Sequence, residues 1–131
     1  MLKRAFLTFA ESDSKRVQRL GLLSDNPGYG VEFYEEGLRV DLRDRYAEHI
    51  KKVVQRKLEA TSATVCLIGE DTHASAWVRW DLDSSARQNH KLIAMYLKGT
   101  REAPLPELLK QANTYCWQWD PRQLEILISS A

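Results

Sequence analysis

Short apolar blocks alternate with amphipathic stretches along this chain. Ala5-Phe6-Leu7-Thr8-Phe9 is apolar, bounded by charge, and predicts a buried strand. Ser14 to Leu23 places Val17, Leu20 and Leu23 at helical spacing. Ser24-Asp25-Asn26-Pro27-Gly28-Tyr29-Gly30 is a dense turn signal. A second strand, Val31-Glu32-Phe33-Tyr34, and a loop from Glu35 to Leu42 follow. The strongest helical pattern comes next, with Tyr46, Ile50, Val53, Val54 and Leu58 on one stripe. Lys51, Lys52, Gln55, Arg56 and Glu59 face away from it. Ala63 to Ile68 is a third strand, closed by Gly69, and a helix runs from about Ser75 to Gln88. Leu92 to Leu97 is the fourth strand. The remainder predicts a short helix over Leu105 to Gln111, with Pro106 in its first turn. An edge strand over Tyr115 to Trp119 and a closing helix over Pro121 to Ser129, with Leu124, Ile128 and Leu127 inward, complete it.

Strands alternating with helices imply βαβ units and a parallel sheet. Strands one, three and four are nearly continuous apolar runs, as expected when both sheet faces are covered. A length of 131 residues suits one domain, 1–131, with one core. Net charge is +1, from 19 basic and 18 acidic residues, which gives no reason to expect nucleic acid or a membrane as partner. No apolar run approaches the ~20 residues that span a bilayer. Ala5 to Ala10 is too short for a secretory segment. Cys66 and Cys116 lie far apart without a CxxC, so both read as reduced, near-core residues of a cytoplasmic protein.

Several α/β chemistries are excluded. A dinucleotide fingerprint needs glycines in the first strand–helix turn, but Ala10-Glu11-Ser12-Asp13-Ser14 has none. The P-loop fails likewise. A flavodoxin phosphate loop and a receiver-type acidic pocket also lack their residues, and thioredoxin chemistry lacks its CxxC. His49, His73 and His90 stand alone without a second ligand at metal-binding spacing, so no metal is expected.

The most informative stretch is Gly69-Glu70-Asp71-Thr72-His73 running into Trp77-Val78-Arg79-Trp80-Asp81-Leu82. Two tryptophans and an acid stand where a strand hands over to a helix, and open α/β sheets bind ligands at the carboxyl ends of strands. Val65 to His73 resembles the third strand and loop, and Trp77 to Leu82 the Trp-x-x-x-Glu helix, of bacterial TIR-like proteins, especially the TIR-like signalling subunit of the Thoeris anti-phage system. Lys3 to Asp13 is similar to that family's first strand and loop, and the likeness extends to about residue 100. The resemblance implies a three-layer α/β fold with a five-stranded parallel sheet, flavodoxin-like in layout. It implies an NAD glycohydrolase or ADP-ribosyl cyclase, with NAD as substrate and no cofactor. The product would be a cyclic or rearranged ADP-ribose that activates a separate effector protein. Self-association and a phage-derived trigger belong to the same expectation.

The resemblance makes Asp81 the catalytic acid and Thr8, Phe9, Glu36 and Trp77 the NAD-binding residues. Independently, loss of nicotinamide leaves positive charge on the ribose, which a carboxylate stabilises. An aromatic face suits a cationic ring. Trp77 and Asp81 are four apart and share a helix face. Each has a plainer reading. Trp77 and Phe9 are equally core anchors, Thr8 is a strand residue, Glu36 with Glu35 is a solvated loop acid, and Trp80 is packing. Asp81 is alternatively a solvated acid or a partner of Arg79 or Lys91. Asp13 reads as a helix N-terminal acid, and Glu70 and Asp71 as turn residues. The family's acid is glutamate, and aspartate withdraws the carboxylate by roughly 1–1.5 Å, about one carbon–carbon bond. A displacement of about 1 Å can cost ~10²-fold in rate. That departure keeps open a non-catalytic adaptor working through assembly, and a domain that binds nucleotide without turnover.

Overall fold

The computed structural model describes residues 3–22, 31–35 and 39–130. Five strands form one all-parallel sheet, β1 (Lys3–Thr8), β2 (Val31–Tyr34), β3 (Ala63–Ile68), β4 (Lys91–Tyr96) and β5 (Cys116–Trp117), in the order β2-β1-β3-β4-β5. Between them run α1 (Ser14–Arg19), α2 (Ala47–Glu59), α3 (Ala76–Arg87) and α4 (Glu107–Gln111), and α5 (Pro121–Ser129) closes the chain. The all-parallel three-layer arrangement is the one the sequence pattern predicts.

Alternation along each strand divides the core. Ala5 and Leu7 of β1 and Val65 and Leu67 of β3 pack with Val17 of α1 and Leu124 and Ile128 of α5. On the opposite face, Phe6 meets Ile50, Val54 and Leu58 of α2, while Cys66 and Ile68 meet Val78 and Leu82 of α3. Thr8 shares the parity of Phe6, so its hydroxyl points toward the α2–α3 layer. That single fact of register positions the site described below.

Several elements differ from the sequence pattern: α1 stops at Arg19, with Gly21 at a positive φ just beyond it, and Pro106 precedes α4 instead of entering its first turn. Tyr46 stands one residue before α2 and is 59% exposed, and Ala47 takes the buried place at that end. The apolar period counts Tyr46 in, but its ring instead lies against the Arg45 guanidinium, 5.2 Å from centroid. The edge strand is only Cys116–Trp117, since pairing with β4 ends at Met95↔Trp117. Leu23, the turn 24–30 and Glu36 lie outside the described residues.

His90 ties three elements together. Its Nε2 donates to the Leu58 carbonyl at 2.8 Å, and its Nδ1 lies 2.9 Å from Thr64 Oγ1. Thr64 in turn donates to Ser85 Oγ at 2.7 Å, beneath α3. Burial lowers the His90 pKa below its ordinary 6.5, opposed by the Leu58 bond. The folded state therefore binds fewer protons than the unfolded one just below that value. Stability from this group is complete above about pH 6.5 and is lost as pH falls through the folded pKa. Thermal unfolding from pH 7.5 to 5.5 should show a steeper fall in Tm for the native chain than for His90→Gln. Parallel slopes would refute this role.

Candidate functional site

In a sheet ordered 2-1-3-4-5 the connections diverge between β1 and β3, and ligands bind outside the carboxyl ends there. A cleft of about 1130 Å³ opens at this place, lined among others by Thr8, Phe9, Lys15, Glu35, Arg39 and Trp77. It is large enough for a dinucleotide, since ligand pockets run to roughly 300–1,000 Å³.

Ser75 starts α3. Its Oγ accepts from Val78 N at 3.2 Å, a side-chain cap that fixes where the helix begins and so its angular phase. From that phase Trp77 and Asp81 face the end of β1. Asp81 is only 1% exposed. Thr8 Oγ1 donates to its Oδ2 at 2.8 Å, and Arg39 Nη1 donates to its Oδ1 at 2.8 Å. The carboxylate thus lies behind Thr8 and Arg39, both of which line the cleft. Burial pushes its pKa up, and the Arg39 charge and the bonds from Arg39 and Thr8 oppose the rise. The readings of Asp81 as a solvated acid, or as a partner of Arg79 or Lys91, are overturned. Its partner is Arg39, and Lys91 Nζ donates instead to Leu127 O and Ser130 Oγ.

Trp77 is half-buried and lines the cleft. Its Nε1 donates to the Val40 carbonyl at 2.6 Å, pinning the segment after β2 onto α3. The Arg39 guanidinium carbon stands 4.9 Å from a Trp77 ring centroid. Trp80 meets Trp77 edge-on at 5.8 Å and borders the core cluster of α2. Phe9 is half-buried, lining the cleft while touching the core beneath β1. Thr8, Phe9, Trp77 and Asp81 are therefore brought together, and Glu36 lies outside the described residues. Glu35 beside it lines the cleft, and its carbonyl accepts from Lys57 Nζ.

A second polar cluster holds the loops at this end of the sheet. Asp13 precedes α1 as expected of a helix N-terminal acid, but its side chain caps nothing. It is 5% exposed and accepts from Arg16 Nη1 at 3.1 Å. Arg16 also reaches Glu70 at 3.3 Å, the Lys98 carbonyl at 3.2 Å and Thr100 Oγ1 at 2.7 Å. One guanidinium thereby links the loops after β1, β3 and β4. Burial raises the Asp13 pKa, opposed by Arg16. Gly69 is required by this packing, because a Cβ there would fall 2.3 Å from Asp13 Oδ2. Thr72 Oγ1 accepts from Gly69 N at 2.7 Å and closes the turn. The Gly69 to Thr72 part of the motif thus shapes the loop.

Arg39, Val40 and Lys15 were not marked by the sequence. The segment 39–45 alternates charges without periodicity, so nothing singles out one arginine. The only available signal was indirect: an acid on a buried helix face requires a counter-ion. Among the described residues no group of three His, Cys, Asp or Glu converges as a metal site needs. Among the same residues no helix is long and apolar enough to cross a membrane.

The sheet order, its flanking helices and the cleft at the β1–β3 divergence define a TIR-like α/β domain. By its sequence, the chain belongs to the family of the Thoeris protein ThsB, TIR-like domain, whose model matches residues 6–102. Solved structures similar to it include the TIR domain of a Toll-related receptor from the lower metazoan Hydra magnipapillata. That likeness has a TM-score of 0.61 at 13% identity and covers 96% of this chain and 91% of the other. A CMP N-glycosidase from Clostridium botulinum is similar with a TM-score of 0.54 at 14% identity, covering 98% of each chain. At these identities both likenesses speak to the fold. No curated protein matches the chain in sequence.

Proposed function

We propose that this chain cleaves the bond between nicotinamide and ribose in NAD and converts the remainder into an ADP-ribose-type signal. In this reading the signal activates a separate effector in anti-phage defence. The observation that carries the proposal is the buried Asp81 carboxylate, four residues from Trp77 and directly behind the cleft-lining Thr8 and Arg39, in a Thoeris ThsB-family domain.

The chemistry balances without a cofactor. The C1′–N bond breaks and its electron pair goes to the pyridinium nitrogen, which becomes neutral. Positive charge then spreads over C1′ and the ring oxygen of the ribose. Asp81, ionised and close to a ribose hydroxyl, stabilises that charge. Trp77 offers its face to the departing ring. Water, or a nucleophile of the same ADP-ribose, forms the new bond at C1′ and releases a proton. Thr8 holds Asp81 Oδ2 and acts as a positioning residue.

The test is the product profile of NAD incubated with the purified chain and with Asp81→Ala. Nicotinamide and an ADP-ribose derivative should form with the native chain alone. Equal nicotinamide release by both proteins would sink the assignment of Asp81.

A second reading, an adaptor acting through assembly without turnover, draws on one feature: both Asp81 oxygens are already bonded. It requires Asp81→Ala to retain signalling in cells, whereas the catalytic reading requires signalling to be lost.

A further inference from the structure

Arg39 occupies an unusual position for a cation at the mouth of a cleft. It makes a 2.8 Å ion pair with Asp81 Oδ1, and its guanidinium lies 4.9 Å from the ring centroid of Trp77. Its side chain is 13% exposed and that of Asp81 2%. One planar, delocalised cation therefore satisfies the buried carboxylate and stands against the indole at the same time.

We propose that Arg39 is a built-in stand-in for the substrate, holding the place of a planar cationic ring and its ribose, and that the cleft is thereby matched to cationic N-ribosides. This rests on the NAD-cleaving reading above and deepens it. A nicotinamide riboside unit presents a planar ring with one positive charge attached to a hydroxyl-bearing sugar. Those features meet the two surfaces Arg39 covers: the indole takes the ring, and the carboxylate takes a ribose hydroxyl and the nearby charge.

Charge conservation at the buried site explains why the exchange is selective. Uncovering Asp81 without a replacement cation leaves a desolvated carboxylate unpaired, which is strongly unfavourable. A neutral N-riboside supplies hydroxyls but no charge, so Arg39 stays. A pyridinium riboside supplies both, so Arg39 can give up Oδ1 and swing away from the carboxylate. The site thus reads the charge of the base through the carboxylate.

The cap also taxes affinity. A ligand that needs the uncapped state binds more weakly by the fraction of molecules uncapped. With a minor state at or below about 10%, removing the cap should tighten binding roughly tenfold or more.

The experiment is calorimetric binding at pH 7.5 to the full chain and to Arg39→Gln, which keeps a donor beside Asp81 but no charge. Arg39→Lys serves as a second variant, with a charge but no planar face. Thermal unfolding establishes that each variant is folded. The ligands are a hydrolysis-resistant NAD analogue and ADP, which carries the phosphates without the cationic ring. Arg39→Gln should bind the NAD analogue about tenfold tighter, Arg39→Lys should fall between, and ADP should bind both equally. Weaker binding of the NAD analogue by Arg39→Gln, with the native chain binding it, would overturn the stand-in role and leave the NAD reading intact. An equal change for ADP would make Arg39 a phosphate ligand and also overturn it. No binding of the analogue to any of the proteins would overturn the NAD reading itself, and this inference with it.

Discussion

Asp81→Asn should lower nicotinamide release by ~10²–10³-fold, the range seen when one group that stabilises developing charge is removed. Asparagine keeps the size of the side chain and one acceptor for Thr8, while the charge and the acceptor for Arg39 are lost together. Asp81→Glu is the informative counterpart. The family's glutamate reaches farther, and if the shorter acid limits the rate, the extra methylene should raise turnover by up to ~10²-fold. The site is tightly covered, so that methylene also costs about 1–3 kcal/mol of packing. A lower Tm together with higher turnover is the expected pair. Turnover needs the carboxylate ionised, and burial raises the Asp81 pKa. The rate should therefore climb with pH through the folded pKa and be lost below it. The same raised pKa has the opposite effect on stability. The folded state holds the proton more tightly, so this group's contribution is greatest at low pH and falls as pH rises past 3.8 through the folded value. Steady-state rates from pH 4 to 8 would check the first sign, and a rate that falls as pH rises would contradict it.

Gly69→Ala should be strongly destabilising, the most crowded of the described glycines. Its Cβ would stand 2.3 Å from Asp13 Oδ2 and 2.9 Å from Asp13 Cγ. Asp13 is buried and held by Arg16, so it has little room to yield. Overpacking of this kind costs about 3 kcal/mol, or roughly 10 °C in Tm for a domain of this size. The structure also predicts the rescue. Asp13→Ala removes the atoms that clash, so the double variant should lose much less than the sum of the two single changes. Additive losses in the double-mutant cycle would mean that Gly69 and Asp13 are not in contact.

How far the sequence reveals this molecule depends on the kind of signal. The sheet was legible because β1, β3 and β4 are continuous apolar runs, and a parallel sheet covered on both faces demands them. The shared face of Trp77 and Asp81 was legible too, since four residues along a helix make just over one turn. What local pattern could not carry was pairing across the chain. Arg39 lies 42 residues from Asp81 and Thr8 lies 73 away. Nothing in the charged segment 39–45 distinguishes the arginine that turns inward. Asp13 stands at the N-terminus of α1 as its sequence suggests, but its contacts were hidden for the same reason. Its place before α1 is a local feature, but its burial against Gly69 is set by the β1–β3 pairing. Tyr46 shows the converse: an apolar period continues one position past the point where the helix meets the sheet.

The reading as a whole depends on Asp81 meeting the ribose of NAD once Arg39 has moved. A crystal structure with an NAD analogue carrying carbon in place of the ribose ring oxygen tests this most directly. It should show an Asp81 oxygen within about 3 Å of a ribose hydroxyl, the nicotinamide ring against Trp77, and Arg39 withdrawn from Oδ1. An analogue bound in the cleft with the Arg39–Asp81 pair intact and the ribose remote from the carboxylate would contradict it.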